Sequence, residues 1–412
     1  MTAKERPKFT NPLAEFPREV GVLIFASFFV AVGFGIIAPT LPLFARSFGV
    51  NNTQVGSIIS AFAFARFASG LISGKLVDKF GERLVYTTGV GFVAISSFAA
   101  AFAQNYEQLL IFRAAGGLGS SMFSVAAGSI ILRATDDSRR ARAQSLYNSS
   151  FLVGMMAGPV IGGFLTAISL RAPLLVYAIL LVLSSAAGGI LLRNSVLAAR
   201  PTDKGAKEKS SIREALAKKP YLIALTISFC SASVLFGMSR SILPLFMVEE
   251  MKSTAGYIGL GFTISSVIQG LLLIKAGGLS DSRGRKFSAV MGSLLLTISV
   301  LVLVCTVHPW MFLLSMVIGA FGSIFLSSTA AIVGDVMKGK SGQVIALFQM
   351  SGDAGAMVAP VTLGFIADHS GFRPAFAVSA GLMFIALFVA TKLPETRASH
   401  LGQSRQSLND FN

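Results

Sequence analysis

Long apolar stretches, each closed by a short polar or glycine-rich turn, repeat along the whole chain. Each runs roughly 20 residues, the length a helix needs to cross about 30 Å of hydrocarbon. Read as helices, they fall near residues 20–45, 54–74, 84–104, 107–133, 141–168, 172–192, 220–246, 254–277, 286–306, 309–336, 342–367 and 373–393. The pattern predicts an all-α membrane protein with twelve transmembrane helices. The first 19 residues are polar and proline-punctuated, and the following span is too long for a signal-peptide core, which predicts a retained N-terminal tail.

The turns repeat as well. Gly74-Lys75-Leu76-Val77-Asp78-Lys79-Phe80-Gly81-Glu82-Arg83 returns as Gly277-Gly278-Leu279-Ser280-Asp281-Ser282-Arg283-Gly284-Arg285-Lys286, the two aspartates standing 203 residues apart. Leu41-Pro42-Leu43-Phe44 returns as Leu243-Pro244-Leu245-Phe246. Gly154-Met155-Met156-Ala157-Gly158-Pro159 answers Gly355-Ala356-Met357-Val358-Ala359-Pro360. A repeat at half the chain length predicts two pseudo-symmetric six-helix bundles related by an axis along the membrane normal. The boundaries expected are a tail over 1–19, bundles over 20–192 and 220–393, a linker over 193–219 and a tail over 394–412. Ser211 to Lys219 is expected to form a short amphipathic helix on the membrane surface.

Composition sharpens this. Charged residues make up 13% of the chain against about 25% in soluble domains, and mean hydropathy is +0.71. The net charge of +16 is unevenly spread. Lys4, Arg6, Lys8, Arg18, Lys75, Lys79, Arg83, Arg133, Arg139, Arg140 and Arg142 share one side with the linker, the Lys275–Lys286 turn and the C-terminal tail. The other side holds only Arg46, Arg171, Lys252 and Arg373. By the positive-inside rule both termini are cytoplasmic. The expected neighbours of the basic loops are membrane lipids, and no nucleic acid. Compact loops predict a multi-pass protein of a bacterial plasma (inner) membrane, working as a monomer. Cys230 and Cys305 lie inside apolar runs, and His308, His369 and His400 lack metal-ligand spacing, so neither a disulfide framework nor a metal is expected. No catalytic cluster or phosphate-cradling loop is seen, which argues against an enzyme or a cofactor.

These motifs resemble the major facilitator superfamily over nearly the whole chain. The Gly-x-Leu-x-Asp-x-x-Gly-x-Arg turn and its echo look like that family's signature loop. Arg113 in Phe112-Arg113-Ala114-Ala115-Gly116-Gly117-Leu118-Gly119 looks like its span-four arginine motif. Gly154, Gly158, Pro159, Gly162 and Gly163 resemble its span-five hinge motif, associated with proton-coupled exporters. The resemblance implies gating by Gly74, Asp78, Gly81, Arg83, Gly277, Asp281, Gly284, Arg285 and Asp335. Asp78 would rest on the start of span eleven near Gly342, complementing the helix's positive end. Arg285 would pair with Asp335. Glu82 departs from the pattern, because a basic residue is usual there. The span-five glycines would pack against span eight of the other half.

Charges inside the spans point to the cargo. Arg66, Arg113, Arg240 and Asp353 lie well within apolar runs, where a charge costs about 2.5–3.5 kcal/mol on insertion scales and faces a cavity. Their repeat partners are Gln269, Met316, Ala38 and Leu152, so each charge belongs to one half alone. Asp353 is the deepest carboxylate and the candidate for coupling to protons. Arg66, Arg113 and Arg240, with Gln269, are candidates for the substrate cavity. Phe29, Phe34, Phe62, Phe64, Met155, Met156, Phe236, Met238, Phe348 and Met350 are candidates for its apolar lining. The expected function is proton-coupled export of a small amphipathic compound by alternating access. The alternative is an importer or exchanger of organic anions with an arginine-lined cavity.

Overall fold

The computed structural model describes residues 16–134, 137–193, 212–326, 329, 332–333 and 342–395. Both tails, most of the linker and Asp335 lie outside them. So do the Asp281 side chain and the surroundings of Gly277. The described chain is helical throughout. Eleven of its helices are long and apolar enough to cross a membrane, and Asn52–Phe80 makes a twelfth as a helix bent by 52°. In chain order the spans are Arg18–Ile37 with Leu41–Arg46, Asn52–Phe80, Glu82–Ala101, Tyr106–Ala134, Asp137–Ile168, Ala172–Leu191, Lys219–Glu249, Ala255–Arg283, Arg285–Val304, Pro309–Leu326, Gly342–Ser370 and Phe372–Thr391. Ile212–Leu216 is a short helix before span seven. Large side chains such as Ile95, Phe164, Leu271 and Phe384 are more than half exposed, as a lipid-facing surface requires.

Two spans depart from simple helices, both beside the repeated Leu-Pro-Leu-Phe. A proline donates no backbone N–H and crowds the carbonyl four residues earlier. In span one the α-helix stops at Ile37 and restarts at Leu41, with Pro42 in its first turn. In span seven the residues before Pro244, Ser233–Ile242, widen into a π-helix. The repeated motif therefore follows a break at Pro39 in one span and a π-helix in the other.

The signature turns are tighter than the sequence reading placed them. Span two continues to Phe80 and span eight to Arg283, so Gly74 and Asp78 sit on helix, and each turn is one glycine. Gly81 has φ +84° and Gly284 φ +98°, a conformation that side-chain-bearing residues rarely adopt. Span two opens with a capping box: Gln54 N–H donates to the Asn51 side chain at 2.8 Å, and Asn51 N–H donates to Gln54 Oε1 at 3.0 Å.

Packing repeats with the sequence. Span one packs on five and six, span three on four and six, and span two on four. Spans seven to twelve repeat those pairings as seven on eleven and twelve, nine on ten and twelve, and eight on ten. Two broad seams join the bundles, span two against eleven and span five against eight. Serines stitch helices where carbon cannot: Ser27 and Ser150 Oγ stand 2.7 Å apart, Ser73 donates to Ser121 at 3.0 Å, and Ser299 and Ser315 pair at 3.0 Å.

Candidate functional site

We call the face carrying Arg18, Gly81 and Gly284 the N-terminal face, and the other the distal face. The glycine ridge of span five does not lie where the four-residue spacing was expected to put it. Added Cβ atoms on Gly154, Gly158 and Gly162 would run into Phe28, Gly35 and Ile36, all on span one of the same bundle. Gly163 alone meets span eight: a Cβ on it would stand 3.0 Å from Gly259 Cα. The ridge has a second-half counterpart, with Gly355 on Phe229 and Ser233, and Gly237 on Ala359. Spacing defines a flat face, but not which neighbour fills it.

The seam between spans two and eleven closes toward the distal face. Gly56 lies against the Pro360 backbone, and Gly364 against Asn52 and Thr53. One turn beyond, the Asp368 carboxylate accepts from Asn52 N–H and Thr53 N–H, each at 2.8 Å, and from Thr53 Oγ1 at 2.5 Å. Beside it, Arg46 Nε stands 2.7 Å from Glu249 Oε1, and Arg46 Nη2 donates to Glu249 Oε2 at 3.1 Å. Both links join the first bundle to the second.

The N-terminal face is arranged differently. Asp78 is exposed and bonds to none of the described residues, so the expected contact with span eleven is not made in this conformation. Gly74 faces open space. Arg83 Nη1 donates to the Arg193 carbonyl at 3.3 Å. Glu82, the departure from the family pattern, is buried, and Arg133 Nη1 donates to both its carboxylate oxygens at 2.8 Å. In the second bundle a residue from beyond span twelve takes the corresponding place. Glu395 accepts from Arg285 N–H at 2.8 Å and Lys286 N–H at 3.3 Å, at the start of span nine. Each helix after a signature turn thus has a carboxylate at its positive end.

Between the faces, the structure brings together side chains that the sequence scatters over four spans. The Arg113 guanidinium of span four stands over the Phe62 ring of span two, 4.7 Å from its centroid. Phe62 and Phe34 of span one have centroids 6.2 Å apart. Arg240 of span seven stands 5.4 Å from the Phe34 centroid and 4.8 Å from that of Phe236. Arginine, two rings, arginine and ring form a ladder from one bundle to the other. Gly116 and Gly117 let span four lie on span two at Phe62 and Arg66. The π-helix in span seven carries Arg240.

Arg113 is 3% exposed, and its Nε and Nη1 are buried with no hydrogen-bond partner. Arg66 and Arg240 are half-buried, and neither side chain pairs with a described acid. Asp353 is half-buried in span eleven, next to Gly352, which faces Ser228 of span seven. Asp353 also bonds to none of the described residues. Gln269 donates to Ser265 Oγ at 3.0 Å on its own helix and stays off the ladder. Of the other expected lining residues, Phe64 is 58% exposed and Phe29 stacks with Phe25 and Phe28.

Fold and site together fit a transporter architecture: two like bundles, paired seams, and arginines that meet aromatic rings between the faces. The family model of the Major Facilitator Superfamily matches residues 23–240 and 225–410. The chain belongs to that superfamily. It is 24% identical over 381 residues to Multidrug resistance protein 1 of Bacillus subtilis, covering 90% of this chain and 96% of that one. An uncharacterized MFS-type transporter of Methanocaldococcus jannaschii is 24% identical over 89% of this chain and 96% of its own length. The quinolone resistance protein NorA of Staphylococcus aureus is 27% identical over 156 residues, 38% of this chain and 40% of that protein. Among solved structures, a bacterial homolog of the human lysosomal transporter Spinster, inward-facing and unoccupied, superposes with TM-score 0.72 at 16% identity, covering 92% of this chain and 96% of that one. A POT family transporter in complex with 5-aminolevulinic acid gives the same TM-score at 16% identity, over 91% and 95% of the two chains.

Proposed function

We propose that this membrane transporter is a proton-coupled exporter of small amphipathic compounds, working by alternating access. In this reading it lies in a bacterial plasma membrane as a monomer with both termini cytoplasmic, as the lysine and arginine bias supports. The bundles over 20–192 and 220–393 rock about the two seams, and the 193–219 linker tethers them. The distal face, closed by Asp368 and by Arg46 with Glu249, is then the outer face. Asp78 is the counterpart that engages span eleven when the other face closes. The likeness to the Bacillus multidrug resistance protein and the Staphylococcus quinolone resistance protein supports efflux.

The observation that carries the coupling assignment is Asp353, a half-buried carboxylate within span eleven that bonds to none of the described residues. A carboxylate inside a span is costly to keep there and marks a candidate relay for the coupling ion. The test is transport in proteoliposomes under an imposed pH gradient. Asp353→Asn is expected to abolish gradient-driven accumulation while leaving downhill exchange. Undiminished accumulation overturns the assignment.

A second reading, an importer or exchanger of organic anions, is favoured by Arg66, Arg113 and Arg240, which pair with no acid among the described residues. Flux measured in right-side-out and inside-out vesicles separates the two, because an exporter accumulates cargo only in the inside-out preparation.

A further inference from the structure

The ladder leaves a charge imbalance in the middle of the protein. Arg113 and Arg240 stand at either end of the Phe62–Phe34 pair, and neither has a described acid partner. Ring faces attract a guanidinium, but an aromatic quadrupole is a weak substitute for a counter-ion. A desolvated cation whose donors are unmet is costly, and Arg113 Nε and Nη1 are in that condition. Such a site gains most from a visitor that brings a negative charge. The visitor would also meet two aromatic rings tilted at 44° to one another, a spacing and tilt suited to a third ring.

We propose that the cargo is an aromatic organic anion. Its ring lies against the Phe34–Phe62 pair, and its acid group answers one of the two guanidinium groups flanking them. Arginine suits this role because its planar fork meets a carboxylate or sulfonate with two parallel hydrogen bonds. Because Arg113 belongs to one bundle and Arg240 to the other, cargo on the ladder touches both moving parts. The proposal rests on the transport reading above and names the class of compound it applies to.

The test uses the full-length protein in nanodiscs and three probes of one shape: 2-naphthoate, 2-naphthylmethylammonium and 2-naphthylmethanol. Binding is read by calorimetry. Naphthoate is expected to bind at least tenfold more tightly than the cation or the alcohol. Arg113→Gln with Arg240→Gln is expected to remove that preference, about tenfold or more, with the alcohol unaffected. Should the double variant fail to fold, Arg240→Gln alone carries the test, because Arg240 is the more open of the two. A selective loss of naphthoate binding supports the proposal, and an equal loss for all three probes overturns it. Equal or tighter binding of the cation by the native protein also overturns it. Binding needs no gradient, so the two readings fail separately. Naphthoate binding without gradient-driven flux keeps the cargo class and removes the exporter. Gradient-driven export of the cation alone does the reverse.

Discussion

The Asp368 carboxylate and the backbone N–H of Thr53 meet at 2.8 Å across the seam between the two bundles. The contact caps the positive end of span two with an acid from the end of span eleven, so it holds the distal face shut. Asp368→Ala is expected to shift the balance toward the distal-open form roughly tenfold, since hydrogen bonds to a charged group contribute about 1.5–3 kcal/mol. Spin-label distances between the loops after spans one and seven report it. Distances unchanged from the native protein would remove the latch.

The neighbouring Arg46–Glu249 pair makes a different forecast. Its side chains are 36% and 30% exposed, which limits the coupling to about 1 kcal/mol or less. A double-mutant cycle on the same distances should return that small value, and the charge-swapped pair should restore it.

Gly163 and Gly158 should separate folding from movement. Gly158 packs inside the first bundle against Gly35, so Gly158→Val is expected to lower stability by about 1–3 kcal/mol. Gly163 faces Gly259 across the seam, so Gly163→Val should spare the melting temperature of the first bundle and slow transport instead. Melting and flux assays on both variants decide it. Equal melting losses would contradict the seam assignment.

The Glu82–Arg133 pair is lopsided: the Glu82 side chain is 2% exposed and that of Arg133 is 32%. Removing the arginine strands a buried carboxylate, whereas removing the acid leaves an arginine that reaches water. Arg133→Ala should therefore lower the melting temperature more than Glu82→Gln does. The reverse order would show that the pair is not what holds Glu82 in place.

How much of this was legible beforehand depends on the range of the interaction. Apolar run lengths located the spans because crossing a bilayer is a property of one segment. The mid-span charges Arg113 and Arg240 were visible for the same reason, as costly exceptions in apolar surroundings. Their meeting over Phe62 and Phe34 was not, since it depends on the rotational phase of four helices at once. The π-helix before Pro244 adds a residue to the turn and changes that phase for Arg240, and no local pattern announces it. Asp368 escaped notice because it follows the last apolar residues of span eleven and looks like a loop acid. Its partners are more than three hundred positions away.

The carboxylate at the start of span nine has a practical corollary for anyone handling this protein. The first bundle carries its acid within the chain at Glu82, but the second borrows Glu395 from just past its last helix. A shortened gene, or a fusion joined directly after Leu393, would discard the borrowed group while keeping every span. Expression variants should therefore retain residue 395, and protection of the Arg285 and Lys286 amides from hydrogen exchange gives a direct check that the terminus is still docked.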